Sequence, residues 1–183
     1  MPAASAQRPK AAPKKKSATK TSSRSAVRAP EPPNPWFVVE RSAIQGRGAF
    51  ARQRIPKGTR IIEYRGKRVD WDWASEAYAP VEGEPTHTFL FSLDDGRVID
   101  ANQRGNAARW INHSCDPNCQ AIEEDGRVWI EALRKIRPGE ELGYDYRIQI
   151  EEPVTRAEKK AWPCHCGSKK CRGTLLARKK KKK

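Results

Sequence analysis

Apolar residues come in short bursts separated by turn residues. They begin at Trp36-Phe37-Val38-Val39, which predicts a first strand. Gln45-Gly46-Arg47-Gly48 reads as a glycine turn before a short segment at Ala49-Phe50, and Ile55-Pro56-Lys57-Gly58-Thr59 as another turn. Ile61-Ile62-Glu63-Tyr64 predicts a strand, and residues 71–78 a short helix. Two Asp-Gly pairs mark hairpins. One joins residues 89–93 to 97–100 through Asp94-Asp95-Gly96, the other joins 121–124 to 127–132 through Asp125-Gly126. A turn at Arg137-Pro138-Gly139 leads into Leu142-Gly143-Tyr144-Asp145-Tyr146, and the charged stretch 151–161 reads as a short helix or a linker. No internal repeat is visible. Many short strands with frequent turns and little helix place the chain in the mainly β class.

Charge divides the chain differently. Its 183 residues carry a net charge of +15 and only 37% hydrophobic residues. Residues 1–30 hold eight Lys or Arg and no acid, and residues 172–183 hold seven and no acid. Those fifteen charges equal the whole excess, so the middle sums to zero. Residues 1–35, rich in Pro, Ala, Ser and Lys, have a composition that cannot bury a core, and are expected to be a disordered basic arm. The globular part then runs over residues 36–150, followed by a linker and small segment at 151–176 and a poly-Lys tail at 177–183. About 140 residues are enough to bury roughly two-thirds of the surface the unfolded chain exposes. Basic arms suit polyanions, DNA above all, through phosphate neutralisation and counterion release. The neutral middle shows no basic recognition stretch. No secretory signal and no membrane-spanning run is present, so an intracellular, reducing location is expected and no membrane partner.

Four constellations carry candidate chemistry. Cys164-His165-Cys166-Gly167-Ser168-Lys169-Lys170-Cys171 places three thiols at C-x-C-x4-C spacing, suited to one tetrahedral zinc that needs a fourth ligand. Cys115, Cys119 and His165 are the candidates. Lys169, Lys170 and Arg172 nearby would favour thiolates. The run from Arg109 through Asn112-His113-Ser114-Cys115-Asp116-Pro117-Asn118 to Cys119 is a dense polar stretch of turn-forming and ligand-recognising side chains. Tyr144 and Tyr146, two apart, are expected on one face of a strand, where a pair of phenols can position an amine. Gly46 and Gly48, around Arg47, let backbone approach a ligand closely.

In this order, the motifs resemble the SET domain of protein-lysine methyltransferases with its post-SET zinc segment, over about residues 36–176. Gly105-Asn106-Ala107-Ala108-Arg109-Trp110-Ile111-Asn112-His113 is most similar to the trithorax branch, with Trp110 where Phe is usual. The resemblance implies several small sheets with a pseudoknot, in which the Asn112-His113 segment and the Tyr144–Tyr146 strand thread past each other beneath the active site. It implies S-adenosylmethionine held by Gly46, Arg47, Gly48, Asn112 and His113, with Leu175 and Leu176 closing over its adenine. It implies one structural zinc on Cys115, Cys164, Cys166 and Cys171, leaving Cys119 as a free structural thiol. Tyr146 would be the catalytic phenol, with Tyr144 and Tyr64 lining a lysine channel, and a Tyr at position 144 implies mono- or dimethylation. Gln45 stands where a His is common and Phe89 where a Tyr is common, which removes cofactor hydrogen bonds. The implied substrate is a protein with an accessible lysine, a histone or histone-like protein, in the nucleoid of a bacterium or the chromatin of a nucleus. The arms would tether the enzyme to DNA, and their own lysines are further candidate substrates. The contrasting reading is a non-catalytic, zinc-stabilised nucleic-acid-binding or nucleoid structural protein. Against it, the cluster lacks paired C-x2-C spacing.

Overall fold

The computed structural model describes residues 32–78, 89–150 and 154–177. The described residues belong almost wholly to one compact unit, Pro33–Lys183. The expected basic arm and poly-Lys tail lie almost wholly outside the described residues.

Among the described residues, ten short strands form four small sheets. β1 (Phe37–Arg41) and β2 (Arg47–Ala51) make an antiparallel pair. Gly46, at φ +44, makes the turn that leads into β2. The segment expected at Ala49-Phe50 is therefore part of a longer strand. β3 (Arg60–Tyr64), β8 (Cys119–Glu124) and β9 (Arg127–Ala132) form a sheet in the order β3-β9-β8, with a register irregularity between Arg60 and Ile62. β4 (Lys67–Asp70), β5 (Leu90–Ser92) and β6 (Arg97–Asp100) form another in the order β4-β6-β5. Both Asp-Gly hairpins are present, and Gly96 and Gly126 take the positive φ their turns require.

Helix is scarce. α1 (Trp71–Ala77) buries only Ala74, and α2 (Arg156–Ala161) is capped by Thr155, whose hydroxyl accepts from the Glu158 amide at 3.1 Å. No helix among the described residues is long and apolar enough to cross a membrane. The main core gathers Phe37, Ala49, Ile55, Ile111, Ile130, Ile136 and Leu142 from all parts of the chain.

The fourth sheet decides where chemistry can occur. β7 (Asn112–His113) and β10 (Gly143–Tyr144) pair in parallel, with Gly143 opposite Asn112 and Tyr144 opposite His113. The Ser114 amide extends the ladder by donating to the Tyr144 carbonyl at 3.0 Å. A Cβ on Gly143 would lie 3.0 Å from the Ser114 Cβ, so the close approach favours glycine. The Asn118 side chain locks the crossing. Its amide donates to the Glu141 carbonyl and its oxygen accepts from the Gly143 amide, both at 2.9 Å.

Candidate active site and metal centre

The crossing of β7 and β10 gathers three side chains from distant parts of the sequence, Ser42, Asn112 and Glu141. The Glu141 carboxylate accepts from the Ser42 hydroxyl at 2.8 and 3.0 Å and from Asn112 Nδ2 at 2.7 Å. Asn112 Nδ2 also donates to the Arg47 carbonyl at 3.0 Å. Because acceptors surround the amide nitrogen, the amide has one satisfying orientation. Gly48 belongs to the same cluster. A Cβ there would lie closer to Glu141 Oε1 than atoms approach, so this glycine makes room for a carboxylate. Gly46 is the opposite case, with nothing within 4 Å of the position its Cβ would take. The exposed Arg47 stacks its guanidinium over Trp110 at 4.8 Å, and Arg109 lies over the same indole at 4.8 Å.

His113 is only 3% exposed. Its Nδ1 accepts from the Tyr146 amide at 3.1 Å, and Nε2 lies 3.3 Å from Cys115 Sγ. Burial lowers its pKa to about 4, so the ring is neutral near pH 7. Its side chain thus joins the tyrosine segment to the cysteine cluster.

Beside it runs a file of aromatic rings. Tyr146 packs against His113 at 5.3 Å and Tyr144 at 4.8 Å, and Phe91 lies 6.4 Å from Tyr144 and 5.5 Å from Tyr64. The Tyr146 hydroxyl donates to the Ile111 carbonyl at 3.0 Å. Tyr64 and Tyr144 are 5% and 7% exposed, yet their hydroxyls bond no group among the described residues. No buried side-chain polar atom among the described residues lacks a partner, so both hydroxyls keep contact with solvent. Desolvation raises the pKa of all three, so each is a neutral phenol at pH 7. The strand β10 ends at Tyr144, so Tyr146 reaches the cluster from the chain that follows rather than by strand alternation.

Cys115, Cys164, Cys166 and Cys171 place their sulfurs within 4.8 Å of one another. The Cys115 and Cys164 sulfurs are 3.7 Å apart. Sulfurs on a tetrahedral zinc with bonds near 2.3 Å are separated by about 3.8 Å. Backbone amides of Arg172 and Gly173 point at Cys115 and Cys171 at 3.5 and 3.4 Å, as they would toward thiolates. Of the other sequence candidates, His165 is exposed and outside the cluster, and Cys119 is fully buried in the main core, where desolvation pushes its thiol up to about 12.

Of the three residues expected to favour thiolates, Arg172 does so at Cys115, through its backbone amide and through its charge. Lys170 pairs with Asp116 at 3.1 Å. The Arg172 guanidinium forks onto Asp145 at 2.6 and 3.0 Å and also donates to the Leu175 and Leu176 carbonyls at 3.3 and 3.0 Å. The Arg172 backbone amide meanwhile donates to Cys115 Sγ. Arg172 thereby ties the C-terminal segment to the chain between Tyr144 and Tyr146, an attachment extended by the parallel bridge of Ile148 with Leu176. Leu176 is buried at 1% and Leu175 half-buried.

Sequence reasoning missed Glu141, Ser42, Phe91 and the Arg172–Asp145 pair. Glu141 sits in a Gly-Glu-Glu turn where exposed acids are ordinary, and its depth shows only once β10 is in place.

The family described as SET domain matches residues 46–147. Human histone-lysine N-methyltransferase 2B is 43% identical over 144 residues, 75% of this chain and 5% of the human protein. Histone-lysine N-methyltransferase trr of Drosophila melanogaster is 42% identical over 138 residues, 73% of this chain and 6% of that protein. A Chaetomium globosum histone-lysine N-methyltransferase, H3 lysine-4 specific, is 41% identical over 140 residues, 74% of this chain and 13% of its own length. The chain thus spans a small part of each relative. The match, the small sheets and the β7–β10 crossing agree: this chain belongs to the SET-domain family.

Proposed function

We propose that this chain transfers methyl groups from S-adenosylmethionine to the side-chain amine of lysine in a histone or histone-like basic protein, and that one structural zinc holds its C-terminal segment in place. The observation that carries the reading is the file of packed aromatic rings, in which the Tyr64 and Tyr144 hydroxyls bond no group among the described residues, beside a Tyr146 whose proton is committed to a backbone carbonyl. The names of the similar proteins supply the substrate class, and chromatin is then where such a substrate is met.

The residues fit the cofactor. Asn112 Oδ1 offers an acceptor to an α-ammonium, and the exposed Arg47 offers a cation to an α-carboxylate. The open side of Gly46 lets backbone approach. Bound there, the cofactor would supply an electrophilic methyl on a cationic sulfonium.

The chain's own task is to present a neutral amine. A lysine in water has a pKa near 10.4, and an apolar enclosure favours loss of its proton. Tyr64, Phe91 and Tyr144 provide ring walls for that enclosure. The unpartnered hydroxyls of Tyr64 and Tyr144 accept the amine's N–H groups and fix where its lone pair points. Tyr146 donates away from the slot, toward Ile111, so its oxygen lone pairs serve as acceptors for an amine N–H or a polarised C–H. None of the three phenols is ionised near pH 7, so the amine's proton passes to water. Alignment and fixed dipoles then supply the rate enhancement. Tyr144 crowds the slot and limits the product to one or two methyls. The four sulfurs would hold zinc as a closed, structural site. The basic arms hold the enzyme near DNA.

Mass spectrometry of core histones incubated with the protein and cofactor tests this. One or two methyls on lysine are expected, and a shift toward three with Tyr144→Phe. No modified lysine, in protein shown separately to bind the cofactor, contradicts it.

A further inference from the structure

The sequence shows no basic stretch in its neutral middle, but folding builds one from two separated segments. Arg52, Arg54 and Lys57 lie on the loop from β2 to β3, and Arg134, Lys135 and Arg137 follow β9 some eighty residues later. Paired backbone bonds between Ile55 and Ile136, at 3.0 and 2.9 Å, clamp these loops side by side. Further bonds from Gly58 to the Ala132 carbonyl and from Gly139 to the Ala51 carbonyl, both 2.8 Å, secure each end.

Ile55 and Ile136 are fully buried, so the residues flanking them are turned outward. All six cations are exposed. Arg54, Arg134, Lys135, Arg137, Pro138 and Glu140 line an open groove of about 1030 Å³. Glu140 is the one acid in it, and it is engaged by Arg134 at 2.8 Å and by the Arg137 amide at 2.8 Å. No acid among the described residues pairs with Arg54, Lys135 or Arg137.

We propose that this groove is a binding site for the phosphate backbone of duplex DNA, built into the folded domain and separate from the basic arms. The lining chooses among polyanions. It has no aromatic ring, whereas single-stranded nucleic acid is held by base stacking on aromatics. It has no large apolar anchor, whereas protein partners dock through buried aromatic or aliphatic hot spots. A rigid row of unpaired cations on a backbone platform neutralises phosphates without reading bases, which gives sequence-independent, salt-sensitive binding. The groove lies one residue from Glu141, so DNA held there runs beside the crossing of β7 and β10. The inference concerns binding alone and does not depend on the methyl-transfer reading.

The test uses the full chain and a fluorescent duplex, titrated over a range of salt. The groove variant carries Arg54→Gln, Lys135→Gln and Arg137→Gln. A control carries Arg156→Gln, Lys159→Gln and Lys160→Gln on α2, which removes the same charge from exposed positions elsewhere. Thermal unfolding shows that each variant is folded, and poly-glutamate serves as a second probe. Loss of three phosphate contacts lowers the slope of log affinity against log salt by about 2.7, at roughly 0.9 per contact. That fall is expected in the groove variant and not in the control. An unchanged slope overturns the proposal, as does an equal fall in both variants, which would mean net charge alone. Lost poly-glutamate binding with duplex binding intact also overturns it, in favour of an acidic protein partner.

Discussion

Glu141 and Asn112 lie 29 residues apart, yet the carboxylate of one accepts from the amide of the other at 2.7 Å, on either side of the β7–β10 crossing. This bond fixes the orientation of the Asn112 amide. Ser42, which bonds both carboxylate oxygens, holds the glutamate in turn. Glu141→Gln replaces one acceptor oxygen with a donor and lets the Asn112 amide turn over. A hydrogen bond to a charged group contributes roughly 1.5–3 kcal/mol, and each 1.4 kcal/mol is tenfold in affinity. The expected result is binding of S-adenosylmethionine weakened by about ten- to a hundredfold in calorimetry, with the fold intact. Unchanged affinity would remove Glu141 from the account.

Gly48 depends on the same carboxylate. Gly48→Ala places a methyl against Glu141 Oε1 and within 2.9 Å of the Ser42 Cβ, so the cluster must shift. Overpacking of this kind costs about 1–3 kcal/mol. Denaturant unfolding should show that loss for Gly48→Ala and a smaller one for the double variant Gly48→Ala/Glu141→Ala, where the obstructing carboxylate is gone.

How much of this was legible in the sequence depends on the range of the interaction. The two Asp-Gly hairpins were readable because a turn constrains its neighbours, and the thiol trio because C-x-C-x4-C brings three sulfurs together locally. Tyr144 and Tyr146 were readable as a pair, though strand alternation was the wrong reason. Glu141 was not readable, since Asn112 reaches it through parallel pairing of segments about thirty residues apart and Ser42 reaches it from 99 residues away. The groove between Arg54 and Arg137 escaped for the same cause. Each half looks like an ordinary solvated turn until Ile55 and Ile136 meet.

The proposed zinc site separates half-buried Cys115 from buried Cys119 by role. Cys115→Ser should lower zinc content and loosen the C-terminal segment, because Cys115 would be the ligand supplied from outside that segment. Cys119→Ala should leave one zinc per chain and lower stability only through lost core volume, by about 1 kcal/mol. Metal analysis together with amide exchange of residues 164–176 reads both. Equal zinc loss in the two variants would contradict the assignment.

Acid stability has a named contributor in Glu63. Its carboxylate takes two hydrogen bonds from Arg127, at 2.7 and 2.8 Å, and one from Arg65 at 2.9 Å. These partners, Arg127 first, lower its pKa from 4.5 to about 2. A carboxylate whose folded pKa is depressed stabilises the fold fully above its unfolded value and loses that contribution as pH falls through the folded one. The window is therefore about pH 5 down to 2. Both arginines are nearly half exposed, so solvent screening reduces the effect to about 1–2 kcal/mol. Urea midpoints should favour wild type over Glu63→Gln at pH 6–7, with the gap closing toward pH 3. A gap independent of pH would contradict the assignment.

In the proposed reaction Tyr146 aligns a neutral lysine amine for methylation. The most direct test is transfer of label from S-adenosylmethionine to lysine in core histones, comparing wild type with Tyr146→Phe. That change removes one oxygen and its bond to the Ile111 carbonyl, which costs about 1 kcal/mol of stability and leaves the protein folded. The account predicts label on lysine in the wild type and a rate lower by about a hundredfold or more in the variant, with cofactor affinity little changed. Equal rates in the two proteins would contradict it.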